Sequence, residues 1–309
     1  MSQTDVATLT VSEADGASLR DWLMLLKPRV IMLVGYTGAI ALWIAPGHLH
    51  PMLAAIALLC IGVGAGAAGA INMWFDRDID AVMRRTAQRP IPAGRIAPEE
   101  ALAFGVTLAA ASVLVLGLAT NFAAAAVLAI SIAFYVGIYT MWLKRRTPQN
   151  IVIGGAAGAF PPLIGWAAVT GGSAMLPILM FAIIFLWTPP HFWSLSLYAH
   201  DDYRRAGVPM LPVVRGARHT RWNILVYTIV LVAVSLLPWL LGEAGPIYGG
   251  TAAALGAWFL YDAVRVLRDD QDATGRSLTK DAPARATFKF SLLYLFVLFG
   301  ALAIDRLVG

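Results

Sequence analysis

The sequence predicts an all-α, polytopic membrane protein with nine transmembrane helices. Of its 309 residues, 59% are hydrophobic and 13% are charged, and the mean hydropathy is +0.71. A soluble domain usually carries about 25% charged residues. Long apolar runs recur along the whole chain, each close to the ~20 residues that a helix needs to cross a bilayer. Such continuous runs exclude a transmembrane barrel, whose strands alternate apolar and polar residues.

Polar loops separate the apolar runs, and the shortest is the turn at Ala119–Asn121. Residues 20–309 are predicted to form one transmembrane domain. Residues 1–19 contain no Lys or Arg, so we expect a short disordered tail rather than a signal peptide or presequence. The predicted spans are 29–45, 52–72, 98–119, 121–143, 151–170, 175–199, 222–242, 246–267 and 286–307.

Basic residues predict the orientation. The chain has 23 Lys and Arg, and on this map all but Arg306 lie on one side of the membrane. The positive-inside rule makes that side cytoplasmic, which places the N-terminus in the cytoplasm and the C-terminus in the periplasm of a bacterial inner membrane. Topology and lipid headgroups account for the pI of 9.5, so the charge does not indicate nucleic acid binding.

The strongest chemical signal follows the second span. Asn72, Asp76 and Asp80 are spaced four apart, so on a helix they share one face with a drift of ~40° per step. Acidic groups at a membrane are costly, and oxygen ligands are those that Mg²⁺ prefers. We therefore predict a metal–diphosphate site. Asp78 points away from the other two acids, and we expect it to pair with a nearby arginine.

Basic side chains near the acids are candidates for holding diphosphate oxygens. Arg84, Arg89 and Arg204 carry the planar fork that suits this task, and Lys144 directly ends the fourth span. Charge that only sets topology remains the alternative for each of them. Carboxylates followed by guanidiniums are the layout expected of a diphosphate site.

A second acidic motif follows the sixth span. Tyr198 and Asp202 share a helix face, whereas Asp201 is turned from Asp202 by ~100°. We favour Asp202 as the one that faces the site, the alternative being a solvated loop start. Both long loops begin with acids at a helix end and continue into arginines and prolines, which suggests two related halves.

His191 lies within the sixth span, directly after Pro189 and Pro190. Two prolines should kink or interrupt the helix. A buried histidine beside such a feature is either satisfied by freed carbonyls or acts as a ligand or base.

The first acidic motif, with the arginines that follow it, resembles the first motif of the UbiA superfamily of intramembrane prenyltransferases. Segments 143–166 and 188–212 resemble its protoheme IX farnesyltransferase branch, the haem O synthases. Many superfamily members carry two Asp four apart in the second motif, and Tyr198 stands at the first of those positions here. This departure weakens a second full metal site and fits the haem branch better than the quinone branch.

The resemblance implies nine helices around a central cavity, with Mg²⁺ at a cytoplasmic active site. Farnesyl diphosphate and haem B would be the substrates, and haem O and diphosphate the products. Haem A synthase and oxidase-assembly factors are candidate partners besides the lipid bilayer. The expected catalytic and metal-binding residues are Asn72, Asp76, Asp80 and Asp202, and the expected substrate-binding residues are Arg84, Arg89, Lys144, His191, Tyr198, Asp201 and Arg204.

Two other functions compete with haem farnesylation. A prenyltransferase acting on an aromatic quinone precursor would share the first motif but would not need His191. A transporter would explain the acids as a cation path. It would not explain why acids and arginines cluster at one membrane face.

Overall fold

The computed structural model describes residues 17–272 and 276–308, and these are almost entirely helical. The predicted tail at 1–19 falls mostly outside the described residues, and Ser18 caps the first helix. The helices are α1 (Leu19–Leu25), α2 (Pro28–Ile44), α3 (Pro51–Phe75), α4 (Arg77–Val82), α5 (Pro98–Ala119), α6 (Phe122–Ala133), the π-helix π1 (Phe134–Leu143), α7 (Asn150–Ala159), α8 (Pro161–Thr170), α9 (Met175–Tyr198), α10 (His200–Arg205), α11 (Leu211–Arg215), α12 (Ala217–Leu240), α13 (Pro246–Leu267) and α14 (Ala282–Val308).

The all-α, polytopic membrane fold is confirmed, and the helices found are consistent with the predicted count of nine. Within the described residues, seven helices are long and apolar enough to cross a membrane, and the α1–α2 pair, bent by 53°, makes an eighth. The predicted span 246–267 corresponds to α13, a 22-residue helix that packs against α12 and α14. The chain is therefore a multi-pass membrane protein.

Small residues let the helices approach closely. Gly165 on α8 lies so close to α2 that a Cβ atom added to it would be 2.3 Å from the carbonyl oxygen of Gly38. Gly105 on α5 is similarly pressed against Ile71 of α3. In a bilayer, where hydrophobic burial does not drive helices together, close packing between small residues stabilises their association.

Two predicted spans contain irregular turns. The fourth continues from α6 into π1, where the backbone amide of Lys144 donates to the carbonyl of Tyr139, five residues earlier, at 2.9 Å. The fifth breaks at Phe160, because Pro161 and Pro162 start a new helix. Neither the wide turn nor its position is visible in hydrophobic periodicity.

The two prolines of the sixth span, predicted to kink or interrupt the helix, do not interrupt it. Helix α9 runs without a break from Met175 to Tyr198 and contains both Pro189 and Pro190. Both prolines are buried, and α7, α12 and α14 pack around the helix. This packing holds the segment helical although two backbone donors are missing.

Helix α12 begins five residues before the predicted span, and Arg221 near its start is buried. Arg221 is 1% exposed and lies 3.2 Å from Asp269 and 3.4 Å from Asp281, in the loop between α13 and α14. The charge of Arg221 is the reason that the predicted span begins only at residue 222. Inside the protein, the two carboxylates compensate this charge.

The two long loops that carry the acidic motifs lie at one end of the bundle. Contacts among Lys27, Asn72, Lys144 and Asp76 join the ends of α2, α3 and π1 there. A cavity of about 420 Å³ lies at the opposite end of the bundle. Its Asp305 accepts hydrogen bonds from the first amides of α13, so this carboxylate caps a helix.

Candidate functional site

The first acidic motif folds as a helix with a one-residue break. Asp76 separates α3 from α4. Its backbone amide nevertheless donates to the carbonyl of Asn72 at 2.9 Å, and its carbonyl accepts a bond of 2.8 Å from the backbone amide of Asp80. The four-residue register therefore continues through the break. Asn72, Asp76 and Asp80 are 3%, 0% and 2% exposed. The structure thus withdraws all three polar side chains from solvent at the end of α3.

A basic side chain pairs with each of these three groups. Lys27 donates to Asn72 Oδ1 at 2.8 Å, and Arg89 donates to Asp80 Oδ2 at 2.6 Å. Lys144 donates to Asp76 Oδ2, which also accepts a bond of 2.7 Å from the amide of Asn72. These contacts bring Arg89 and Lys144 beside the first acidic motif.

One oxygen of Asp76 is left over. Oδ1 is buried and has no hydrogen-bond partner among the described residues, and Arg145 Nη2 lies 3.6 Å from it. A buried carboxylate oxygen without a hydrogen bond is costly unless a ligand completes it. No group of three His, Cys, Asp or Glu side chains in the described part of the chain forms a metal cluster. Two carboxylates and the amide oxygen of Asn72 are nevertheless hard donors that suit Mg²⁺.

Asp78 is turned away from this cluster, as expected. Its side chain is 60% exposed, and both oxygens accept hydrogen bonds from Arg145, at 2.7 and 2.6 Å. These bonds hold the pKa of the Asp78 carboxyl below its usual range. Arg145 also lies over the ring of Phe75, 4.9 Å from its centroid, so this pair fixes the end of α3.

The second acidic motif is more open. Asp202 pairs with Arg205, whereas the side chain of Asp201 is 72% exposed and lies 3.4 Å from His200. Arg204 is also exposed. Asp202 and Asp201 line a pocket of about 210 Å³ whose wall includes Arg84 of the first loop and Tyr198.

The break after α9 explains the difference between the motifs. Ala199 occupies the position that Asp76 has after α3, and each break is followed by a six-residue helix. Counted from the break, Tyr203 corresponds to Asp80. Tyr203 is buried with Ile79 and Met83, and its hydroxyl accepts a bond of 3.2 Å from Arg85. The second loop therefore supports the first by packing against it.

His191 lies deeper in the membrane, between two aromatic rings. Its ring stacks on Trp187, with centroids 4.3 Å apart, and on Phe288 of α14, at 4.4 Å. Its Nδ1 lies 2.6 Å from Ser291 Oγ, and that hydroxyl donates to the carbonyl of Phe288 at 2.7 Å. Because a hydroxyl has one proton, Nδ1 carries the proton shared with Ser291 and Nε2 keeps its lone pair. Nε2 makes no hydrogen bond with any described residue.

Sequence patterns missed three residues of this arrangement. Lys27 reaches Asn72 across 45 positions of sequence, and its place directly before Pro28 at the start of a span was the one available hint. Thr140 accepts a bond of 3.2 Å from the Asn72 amide only because π1 turns it toward α3. Ser291 gave no signal, since a serine in an apolar helix is usually an interhelical contact.

Comparison with known proteins identifies the family of this chain. The model of the UbiA prenyltransferase family matches residues 32–303. The protoheme IX farnesyltransferase of Granulibacter bethesdensis is 67% identical to this chain, over 94% of this chain and 92% of its own length. That of Acidiphilium cryptum is 66% identical, over 95% and 92%.

Solved structures share the fold. A digeranylgeranylglyceryl phosphate synthase superposes with a TM-score of 0.75 at 19% identity, over 94% of this chain and 99% of its own. A UbiA homolog from Archaeoglobus fulgidus, bound to DMAPP and Mg²⁺, has a TM-score of 0.61 at 16% identity, over 91% and 99%. The chain belongs to the UbiA prenyltransferase family and is a membrane-embedded prenyltransferase.

Proposed function

We propose that this enzyme transfers a farnesyl group from farnesyl diphosphate to a vinyl group of haem B, giving haem O and diphosphate. The relatives that are two-thirds identical over nearly the whole chain support the reaction. The structural observation that favours a haem acceptor is His191, held between two rings with Nε2 free of hydrogen bonds to described residues.

At the diphosphate end, Asn72, Asp76 and Asp80 would hold Mg²⁺, and Asp202 would complete the site from the second loop. When bound, the metal supplies charge neutralisation for the departing diphosphate. The buried Asp76 oxygen without a partner supports this assignment. Both Asp76 and Asp80 already hold basic side chains, so ligand binding requires Lys144 and Arg89 to exchange a carboxylate for a phosphate oxygen.

Basic residues bind the diphosphate in this proposal. Lys144 and Arg89 lie at the acids, and Arg84 lines the pocket beside Asp202. Arg204 projects from the same short helix as Asp202, and Asp201 lies at the rim of that pocket. Preorganised cations that face the charge developing on a leaving group lower the barrier to its departure.

The transfer is a substitution followed by hydration. The bond between farnesyl C1 and oxygen breaks, and its electron pair leaves with diphosphate. The vinyl π electrons form the new carbon–carbon bond to C1, and a water oxygen adds to the resulting cation and loses a proton. Other water must be kept away from the cation until the carbon–carbon bond has formed.

Localisation follows from the same site. We propose that the end carrying the acids faces the cytoplasm of a bacterial inner membrane, since nearly all Lys and Arg lie at that end. An odd number of spans then leaves the C-terminus in the periplasm. Haem A synthase or oxidase-assembly factors would receive the product.

The test is haem extraction from membranes of a host that lacks its own haem O activity, followed by mass analysis. Expression of this chain should produce farnesylated haem, and Asp76→Ala should abolish it. Haem B alone, with folded protein present, would overturn the proposal. Prenylation of an aromatic quinone precursor by the same membranes would assign the acceptor to the quinone branch.

A further inference from the structure

One arginine at the end of the bundle that carries the acids is held in place without a salt bridge to any described carboxylate, and Asp281 acts on it only through a longer-range electrostatic interaction. The guanidinium of Arg285, in the first turns of α14, lies 4.3 Å from the ring centroid of Tyr198. Its Nε donates to the carbonyl of Lys280 at 3.1 Å. No described carboxylate lies within ion-pair distance, and the side chain is exposed. The guanidinium is thus fixed on two sides while its terminal nitrogens stay available.

This arginine stands in line with His191. Arg285, Phe288 and Ser291 follow one another at three-residue steps, so they lie along one side of α14, each turned by about 60° from the one before. Along that face Arg285 contacts Tyr198, Phe288 contacts both Tyr198 and His191, and Ser291 contacts His191. A continuous row of contacts therefore runs from the buried imidazole to the exposed guanidinium.

The length of this row matches a porphyrin. Tyr198 and His191 are seven residues apart on α9, which is a rise of about 10 Å. The iron and the propionate carboxylates of haem B are separated by a comparable distance. A planar fork with free nitrogens is suited to bidentate contact with a carboxylate.

We propose that Arg285, seated on Tyr198, binds a propionate of the acceptor while His191 faces its iron. The inference rests on the proposed function, because it takes haem B as the acceptor. One carboxylate contact fixes the rotation of the porphyrin about the axis through iron and Nε2. Such a contact selects which of the two vinyl groups meets the farnesyl cation. It also gives Tyr198 a role at the position where the resemblance implies an acid in many superfamily members.

The experiment compares two acceptors with the purified full-length enzyme in nanodiscs. Haem B and its dimethyl ester differ only at the propionates, which are charged carboxylates in the first and neutral methyl esters in the second. In Arg285→Met, KM for haem B should rise about 10-fold or more, because a charge-assisted contact is lost. KM for the dimethyl ester and for farnesyl diphosphate should stay at the wild-type values. Equal effects on both acceptors, or no effect, would overturn the inference and leave a structural or lipid-binding role.

A matched control is Arg265→Met. Arg265 also lies over a tyrosine at a helix end, 5.7 Å from the Tyr261 ring, but it is paired with Asp262 at 3.2 Å. It should change neither KM. If Arg285→Met does not fold, Tyr198→Leu removes the platform and keeps the charge, and it should again weaken haem B more than the ester.

Absorbance titration with haem B separates this inference from the proposed function. If the wild type binds haem B and forms haem O, and Arg285→Met binds it equally tightly, only the inference fails. If the wild type neither binds nor farnesylates haem B, both the proposed function and this inference are overturned. Farnesylation of the second vinyl group by Arg285→Met would give direct support to the orienting role.

Discussion

Lys144 donates a hydrogen bond to a carboxylate, that of Asp76, which is completely buried. The lysine reaches it from the end of π1, and its side chain is 17% exposed. Buried pairs contribute little net stability, but removing one partner leaves an uncompensated charge. This pair therefore links the stability of the apoenzyme to the group that we assign to the metal.

Asp76→Asn should reduce farnesylation by about 100-fold or more, because the variant loses a charged ligand for the metal. Asp78→Asn is the matched control: it lies two positions away, but its side chain is exposed and bonded to Arg145. The control should keep activity and lose at most about 1 kcal/mol of stability. Haem extraction and mass analysis measure both, and equal activity of the two variants would contradict the assignment.

The small stability contribution of Asp78 has a defined pH dependence. Arg145 lowers the pKa of this carboxyl in the folded state, so the contribution is present at neutral pH. It should fade as the pH falls through the lowered folded-state pKa, and it should be absent in Asp78→Asn. Thermal unfolding at neutral and acidic pH, compared between the two proteins, measures the difference; a gain on acidification would have the wrong sign.

Asp76→Asn should also unfold more easily, by about 3 kcal/mol, because Lys144 then has no carboxylate to meet. Adding Lys144→Met should recover part of this loss and no activity. Thermal unfolding in detergent reads the first effect and haem analysis the second. Recovery of activity in the double variant would show that the lysine, rather than the carboxylate, limits turnover.

Ser291→Ala should weaken haem B binding by about 10-fold, because the imidazole of His191 loses the partner that fixes its tautomer. Ser194→Ala is the control, since that buried hydroxyl donates only to the carbonyl of Pro190, one turn earlier on α9. Absorbance titration separates binding from turnover. An unchanged haem spectrum in Ser291→Ala would rule out the positioning role.

Gly165→Ala should destabilise the protein by about 1–3 kcal/mol, because the new methyl would meet the backbone of α2. At Gly158, on the other half of the same broken span, an added methyl group would meet no described atom within 4 Å. Gly158→Ala should therefore be neutral or gain up to ~1 kcal/mol from helix propensity. Similar melting temperatures for the two variants would contradict the close packing of α8 on α2.

Periodicity predicted the spans and the shared face of Asn72, Asp76 and Asp80 because these are local properties of a helix. The partners of these groups are not local: Lys27 and Thr140 lie 45 and 68 positions from Asn72. Apolar pattern cannot report which helices become neighbours. The burial of Arg221 illustrates the same limit, since its compensating carboxylates come from a distant loop.

The π-helical segment Phe134–Leu143 sets the register of everything after it. A π turn accommodates one more residue than an α turn. If the same residues were wound as an ordinary α-helix, every side chain beyond that turn would be rotated by about 100° about the helix axis. Thr140 and Lys144 would no longer point toward Asn72 and Asp76. The one additional residue in the π turn thus sets the orientation of the end of the fourth span relative to the second.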